Sequence, residues 1–198
     1  MKFSTQPTSQ RAHRNAGMTL VETTIVLAVV SVIIAAVWMV SSVVYENARQ
    51  YQANRQMQTI VQNVRQLYAR VNALTNIADV TSTLDAQQAF PTEMRVAQGT
   101  ASDKLNHPWG QAAAGTVRVY NRSATTFGIV FTGVPKKACI GLATKLTGGE
   151  ISNLRTFIIA STSYTGTALP VTIVTAAGAS QCGAGDNNTL EWQFEIRA

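Results

Sequence analysis

The chain has 198 residues, which allows one ordinary domain plus an extension but not two full domains. Only 13% of the residues are charged and 46% are apolar, a balance that is unusual for a soluble protein and indicates a membrane-embedded or polymer-buried segment. The net charge of +6 depends partly on Lys2, Arg11 and Arg14; without them 13 basic residues face 10 acidic ones, so the charge is weak evidence for nucleic-acid binding.

Residues 18–44 form an apolar run in which Glu22 is the one charged side chain. A helix of this length reaches about 40 Å, enough to cross a bilayer. The run is longer than the core of about 7–15 apolar residues in an ordinary signal peptide. Basic residues precede the run and none lies within it, so the positive-inside rule predicts a cytoplasmic N-terminus and a translocated C-terminal region.

Glu22 lies within the first turns of this run. An isolated carboxylate in the hydrocarbon costs roughly 2.5–3.5 kcal/mol even on the lenient insertion scale, so a plain membrane anchor does not explain this residue. One alternative is that Glu22 snorkels to the membrane interface, because it is near the start of the helix. The surrounding residues favour a more specific role.

Residues 17–22 read Gly-Met-Thr-Leu-Val-Glu and resemble a prepilin processing site, in which a Gly precedes the cut and Glu is the fifth residue of the mature chain. The resemblance implies that residues 1–17 are a leader, removed by a prepilin peptidase that cuts between Gly17 and Met18. It implies that the new Met18 amine is methylated. It also implies that Glu22 pairs with the Met18 amine of a neighbouring subunit in the filament core, where a buried carboxylate needs such a partner.

The details of this segment are similar to the b class of type IV pilins, which includes the toxin-coregulated, bundle-forming and plasmid-encoded thin pili. The leader has 17 residues, the first mature residue is Met18, and no proline occurs between Pro7 and Pro91. The a-class pilins have shorter leaders, usually begin with Phe, and often carry a proline in the apolar helix. The resemblance therefore implies a type IVb pilin.

After residue 44 the composition becomes mixed, and residues 45–74 are predicted to continue the helix as an amphipathic segment. Apolar side chains recur at the spacing of one helical face: Met57, Ile60, Val61, Val64, Leu67, Tyr68, Val71 and Leu74. Arginines lie among glutamines and asparagines on the remaining surface: Arg49, Arg55, Arg65 and Arg70. No aromatic residues are arranged beside them for stacking on bases, so a solvated face or inter-subunit contacts are favoured over nucleic-acid binding.

Residues 75–198 are predicted to form a globular head. A short helix is predicted near residues 84–90, and residues 106–110 (Asn-His-Pro-Trp-Gly) look like the Trp-Gly turn that precedes the sheet in b-class pilins. A second helix is predicted after Pro135, ending at Gly148-Gly149. Strands are predicted at residues 116–121, 124–132, 154–160, 171–175 and 189–197. The fold class is therefore α+β: the pilin fold, with one long N-terminal helix packed on an antiparallel sheet.

Cys139 and Cys182 are the two cysteines of the chain. They form no CxxC pair and have no neighbouring His, so metal ligation is not expected. If this half of the chain is exported, a single disulfide is the natural interpretation, and two buried free thiols are the alternative. The pilin resemblance implies that residues 139–182 form a disulfide-bounded, surface-exposed and variable region that sets antigenicity and fibre–fibre contacts.

Catalytic and cofactor-binding patterns are not found in the sequence. The two histidines are His13, in the predicted leader, and His107. No Ser-His-Asp arrangement, metal-spaced cluster or phosphate-binding loop occurs, and Asp186 lacks the neighbouring carboxylates of a calcium loop. We therefore expect neither an enzyme nor a cofactor or metal.

These observations predict the major subunit of a type IVb pilus, used for adherence, aggregation or conjugative mating. The expected partners are other copies of the chain, the prepilin peptidase, an inner-membrane assembly platform and minor or tip pilins, with no nucleic acid. The precursor is expected in the inner membrane, with a cytoplasmic N-terminus and a periplasmic head, before it enters the extracellular pilus. Two alternatives remain: a minor pilin or type II secretion pseudopilin, and a membrane-anchored periplasmic binding domain that never polymerises.

Overall fold

The structure is a computed structural model that covers one N-terminal helix and most of the head. The described residues are 19–70, 74, 78–95, 104–110, 116–178, 181–183 and 185–197. The chain divides into two units, residues 1–44 and residues 45–198. Gly17 and Met18, the predicted cleavage residues, lie outside the described residues.

Helix α1 spans Leu20–Tyr68 and contributes to both units. Its apolar residues up to Val44 are exposed. From residue 45 onward one face is buried, as the spacing predicts, through Ala53, Met57, Ile60, Val61 and Val64.

Helix α1 ends at Tyr68, earlier than the predicted end near residue 74. The Tyr68 hydroxyl hydrogen-bonds the Asn121 side chain at 3.1 Å. The backbone N–H of Leu74 donates to the carbonyl of Ala124 at 2.7 Å, and Leu74 itself is buried. Contacts with the head thus take the place of further helical hydrogen bonds, and Leu74 enters the core after the helix has ended.

The head contains a five-stranded antiparallel sheet with strand order β1-β2-β5-β3-β4. The strands are β1 (Val117–Asn121), β2 (Thr126–Val134), β3 (Leu154–Ile159), β4 (Thr162–Thr165) and β5 (Asn188–Glu195). Four of them confirm predicted strands. Three further α-helices of the described residues are α2 (Thr81–Ala86), α3 (Lys136–Lys145) and α4 (Ile173–Ala176), and short 3-10 or π-helical turns lie at Thr92–Met94, Leu146–Glu150 and Gly166–Ala168.

Other elements also differ from the predictions. The predicted strand at residues 171–175 is wrong: α4 occupies most of it, because Thr172 caps the helix by accepting a hydrogen bond from the N–H of Thr175 at 3.2 Å. Strand β4, which was not predicted, lies at the sheet edge and pairs only with β3 in the described sheet. Its sequence, Thr-Ser-Tyr-Thr, carries no apolar alternation. Helix α2 begins earlier than the predicted short helix because the Asp79 carboxylate accepts from the Thr81 N–H at 3.0 Å.

The core lies between the buried face of α1 and one face of the sheet. Strand β5 alternates as predicted, burying Leu190, Trp192 and Phe194. Phe127 approaches Phe194, with ring centroids 5.7 Å apart, and Tyr68 of α1 meets Phe127 edge-on at 6.5 Å. Aromatic packing therefore joins the helix to the sheet and supplies much of the buried apolar area.

Candidate functional site

Residues 20–44 of α1 present apolar side chains in every direction. Within the described chain this is the one helix long and apolar enough to cross a membrane, and none of its apolar window is buried within the chain. Ile33, near the middle, is 57% exposed. A helix that is apolar all round is typical of a segment covered by lipid or by other helices.

Three hydroxyl groups of this segment are satisfied within the helix. The hydroxyls of Thr23, Thr24 and Ser31 donate to the carbonyls of Leu20, Val21 and Ala28, each at 2.8 Å. In an apolar environment an unpaired hydroxyl would be costly, and these bonds remove that cost. The segment can thus enter lipid or a helical bundle without leaving these hydroxyls unpaired.

Glu22 is the one charged residue of the segment, and its side chain is exposed. Its backbone N–H donates to the carbonyl of Thr19 at 3.0 Å, which places the residue in the first turn of α1, where a negative charge is favoured. Among the described residues no basic group forms an ion pair with Glu22. The predicted pairing with a Met18 amine therefore stays a prediction.

The first turn after the apolar segment is tied to the head by Glu46. Its carboxylate accepts a hydrogen bond from the indole Nε1–H of Trp109 at 2.9 Å. The backbone N–H of Trp109 donates to Nδ1 of His107 at 3.3 Å, and Nε2 of His107 lies 2.8 Å from the carbonyl of Thr132. Since a carbonyl can only accept, Nε2 carries the proton, and both contacts require the neutral imidazole.

Burial lowers the pKa of His107, and the hydrogen bond to Thr132 acts in the opposite direction. The sequence predicts a Trp-Gly turn at residues 106–110 but not its contact with Glu46. The signal that was available is a tryptophan next to glycine together with a lone carboxylate just after the apolar run. Spacing in the sequence does not show that the two meet.

Cys139 and Cys182 form a disulfide, with their Cα atoms 5.8 Å apart and both residues buried. The bond joins α3 to the loop before β5. Because both cysteines take part in it, the alternative of two buried free thiols is excluded. The side chain of Asn188 fixes this loop, because its oxygen accepts from the Gly183 N–H at 2.7 Å while its amide donates to the Val134 carbonyl at 2.9 Å.

The region between the two cysteines carries an exposed apolar pair on α4. Ile173 is 67% exposed and Val174 is 84% exposed. The backbone before α4 is anchored, since the N–H of Val171 donates to the Thr147 hydroxyl at 2.9 Å. The two apolar side chains therefore follow a stretch of backbone that this hydrogen bond holds in place.

No converging group of three or more His, Cys, Asp or Glu side chains that could hold a metal occurs in the part of the chain that the structure describes. The described histidine, His107, is buried and uses both ring nitrogens in structural contacts. The features with functional potential are therefore surfaces: the apolar half of α1 with Glu22, and the disulfide-bounded part of the head.

Residues 42–195 match the protein family described as Bundlin, and residues 12–38 match the prokaryotic N-terminal methylation motif. The first match covers well over half of the chain. No curated protein sequence gives a match to this chain.

Solved structures of two pilins are similar in fold. The type IVb pilin from Salmonella typhi is 23% identical with a TM-score of 0.52, and the match covers 70% of this chain and 95% of that one. TcpA, a type IV pilin from the Vibrio cholerae El Tor biotype, is 9% identical with a TM-score of 0.50, and the match covers 74% of this chain and 98% of that one. At these identities the likeness concerns the fold alone.

Proposed function

This chain belongs to the bundlin family of type IVb pilins, which are structural rather than catalytic subunits, and we propose that it is the major subunit of a surface pilus. The observation that carries the proposal is the exposed apolar half of α1, most of which lies within the match to the N-terminal methylation motif. In the proposed precursor, residues 1–17 are the cytoplasmic leader, residues 18–44 span the inner membrane, and the head is periplasmic. The prepilin peptidase cuts between Gly17 and Met18, and the Met18 amine is methylated.

Polymerisation takes place in this proposal through the apolar half of α1. Leaving a Val, Leu or Ile side chain in water costs about 1.5–3 kcal/mol relative to burying it, so the segment must stay covered as the subunit leaves the membrane. Because lipid is as apolar as these side chains, close packing between helices favours the fibre over the lipid-covered state. Lipid covers these side chains in the precursor, and the helices of neighbouring subunits cover them in the fibre. The same surface therefore serves both states.

Glu22 supplies the register between subunits in this proposal. Apolar packing is non-directional, so it does not by itself fix how far one helix slides along another. Cleavage creates a positive amine at Met18, and a buried carboxylate is strongly destabilising unless such a charge pairs with it. The pair between Glu22 of one subunit and Met18 of the next would then select one axial offset.

The experiment compares Glu22→Ala with Ser31→Ala, a matched polar-to-alanine change on the same helix. Membrane insertion, leader cleavage and the yield of sheared surface fibres are measured for each. We expect Glu22→Ala to insert and be cleaved but to yield few fibres, whereas Ser31→Ala, which removes only a bond to its own helix, assembles. A normal fibre yield from Glu22→Ala contradicts the proposed register pair.

Mass spectrometry of sheared fibres separates the remaining functions. A dominant subunit that begins at methylated Met18 supports the major pilin, and a trace amount of it supports a minor pilin or pseudopilin. Full-length chain found only in membranes supports the anchored binding domain.

We further propose that the fibre serves adherence, aggregation or mating, with the exposed α4 pair, Ile173 and Val174, among its outward contacts. Assembly platform and tip or minor pilins are its proposed partners.

A further inference from the structure

A distinct surface, exposed except for the half-buried Arg49, begins directly after the apolar run. We call it the anchor surface, and it consists of Tyr45, Ala48, Arg49, Tyr51, Gln52 and Arg55 on α1. Tyr45 is 61% exposed and Tyr51 is 65% exposed. Exposed tyrosines next to a membrane-spanning segment are typical of the interface between hydrocarbon and water, where the ring is buried and the hydroxyl stays wet.

Arg49 and Tyr45 form the first pair of this surface. The guanidinium carbon of Arg49 lies 4.4 Å from the Tyr45 ring centroid, and its Nη2 lies 3.3 Å from the Tyr45 hydroxyl. The Arg49 side chain thus leans toward the start of the helix, as helical side chains do. Its charge is carried back toward residue 44, where the apolar run ends.

The arginines on the anchor surface and the carboxylates beside it differ in the contacts that they make. Among the described residues neither Arg49 nor Arg55 forms an ion pair. The two nearby carboxylates are engaged by the head: Glu46 accepts from Trp109 at 2.9 Å, and Glu93 accepts from the Gln56 amide at 3.0 Å. These donors are neutral, so both carboxylates keep their charge. Lys145, whose Nζ lies 4.9 Å from the Tyr51 ring centroid, adds a third cation to Arg49 and Arg55, so positive charges outnumber negative ones on and beside this surface.

A cleft gives this surface room for a bound group. It has a volume of about 400 Å³ and is lined by Ala48, Tyr51, Gln52, Arg55 and Glu93. Hydroxyl, amide and guanidinium donors reach it from one side of α1. Arginine and tyrosine donors of this kind suit phosphate oxygens, which arginine binds through two N–H groups at once.

We propose that the anchor surface binds anionic phospholipid headgroups of the membrane in which the precursor is inserted. This inference rests on the proposed function, which places residues 18–44 in that membrane. Arg49 is five residues past the end of the apolar run, and its side chain leans back toward that end, so its guanidinium group can reach the headgroup layer, which extends about 5–8 Å from the hydrocarbon. Arg55 is eleven residues past that end and attracts the anionic layer over a longer distance. The anchor surface then enriches anionic lipid around the precursor before the precursor is assembled into the fibre.

The experiment uses the full precursor in phosphatidylcholine vesicles that contain either brominated phosphatidylglycerol or brominated phosphatidylcholine. Bromine quenches tryptophan on contact, and Trp38 lies in the apolar segment, so the two titrations give the preference of the helix for each lipid. The variant Trp38→Phe measures the signal from Trp109 and Trp192 in the head. Arg49→Gln/Arg55→Gln is compared with Arg70→Gln, which removes an exposed arginine outside the anchor surface.

We expect the wild-type chain to prefer phosphatidylglycerol by a factor of about five or more, since a basic side chain at an anionic surface contributes roughly that factor. The double variant should lose the preference, Arg70→Gln should keep it, and high salt should weaken it in the wild type. Equal binding of the two lipids by the wild type, or a preference that survives in the folded double variant, overturns the inference. If brominated phosphatidylcholine fails to quench Trp38 at all, membrane insertion itself is wrong, which is a separate failure of the proposed function.

Discussion

The two halves of α1 have the same backbone conformation but differ in what covers their apolar side chains. In residues 20–44 these side chains are exposed on all sides, whereas in residues 45–68 Met57, Ile60 and Val64 are fully buried against the head. The second half has its partner within the chain, and the first half has none in the part of the chain that the structure describes. The difference teaches that one continuous helix can carry two separate energetic roles, folding of the head and attachment to something outside it.

This comparison predicts that stability and assembly can be changed independently. Substitutions in the head or on the buried stripe should lower the free energy of unfolding. Substitutions in residues 20–44 should leave that quantity nearly unchanged and should affect insertion or polymerisation. The following variants test this separation on the full chain in detergent micelles.

The largest effect is expected from removing the disulfide with Cys139→Ser/Cys182→Ser. The two cysteines are separated by 43 positions, and the chain-entropy account gives about 4 kcal/mol for closing a loop of that size. Guanidinium unfolding followed by near-ultraviolet circular dichroism measures the loss, because that signal reports the packed aromatic residues of the head. Glu22→Ala is the control and should keep the wild-type midpoint. A loss well below 1 kcal/mol in the double variant would contradict a stabilising role for the bond.

A loss with a slightly lower central value is expected from Ile60→Ala, for which Ile33→Ala is the matched control on the same helix. Ile60 is fully buried, so its truncation should cost about 2–5 kcal/mol through lost burial and a residual cavity. Ile33 is exposed, so the same change there should shift the unfolding midpoint little. Equal shifts from the two variants would show that the two halves of α1 do not have separate roles.

The elements with strong periodicity could be predicted from the sequence. The apolar run and the stripe through Val64 identify α1, and the alternation Leu190, Trp192, Phe194 identifies the buried face of β5. In these segments the pattern reflects burial directly, so it needs no knowledge of the neighbours.

Elements that are short, exposed or fixed by distant residues could not be predicted. Residues 171–175 have the β-branched composition of a strand, but the Thr172 cap makes the segment helical. Strand β4 carries no apolar pattern because it is an exposed edge. The contact between Glu46 and Trp109 joins residues 63 positions apart, which periodicity cannot reveal.

His107 is expected to make the stability of the head depend on pH. It is buried beside Phe131 and Trp109, with ring centroids 5.3 Å and 5.9 Å away. Glu93 and Arg95 line the same cleft as His107, and Glu46 contacts Trp109. Protonation would place a second donor on Nδ1, against the N–H of Trp109, and would put a charge in the core.

The smallest effect is therefore expected from acidification. Burial lowers the pKa of His107 in the folded head, so below about pH 6.5, the ordinary pKa of histidine, the unfolded chain binds more protons than the folded one. The free energy of unfolding should thus decrease as the pH falls from 7.5 to 5, a range in which ordinary carboxyl groups stay ionised. His107→Gln keeps an amide donor for the Thr132 carbonyl but cannot titrate, so its stability, lower at pH 7.5, should depend less on pH. Guanidinium unfolding at five pH values measures both slopes. Identical slopes for the wild type and His107→Gln would show that the pH dependence comes from other groups.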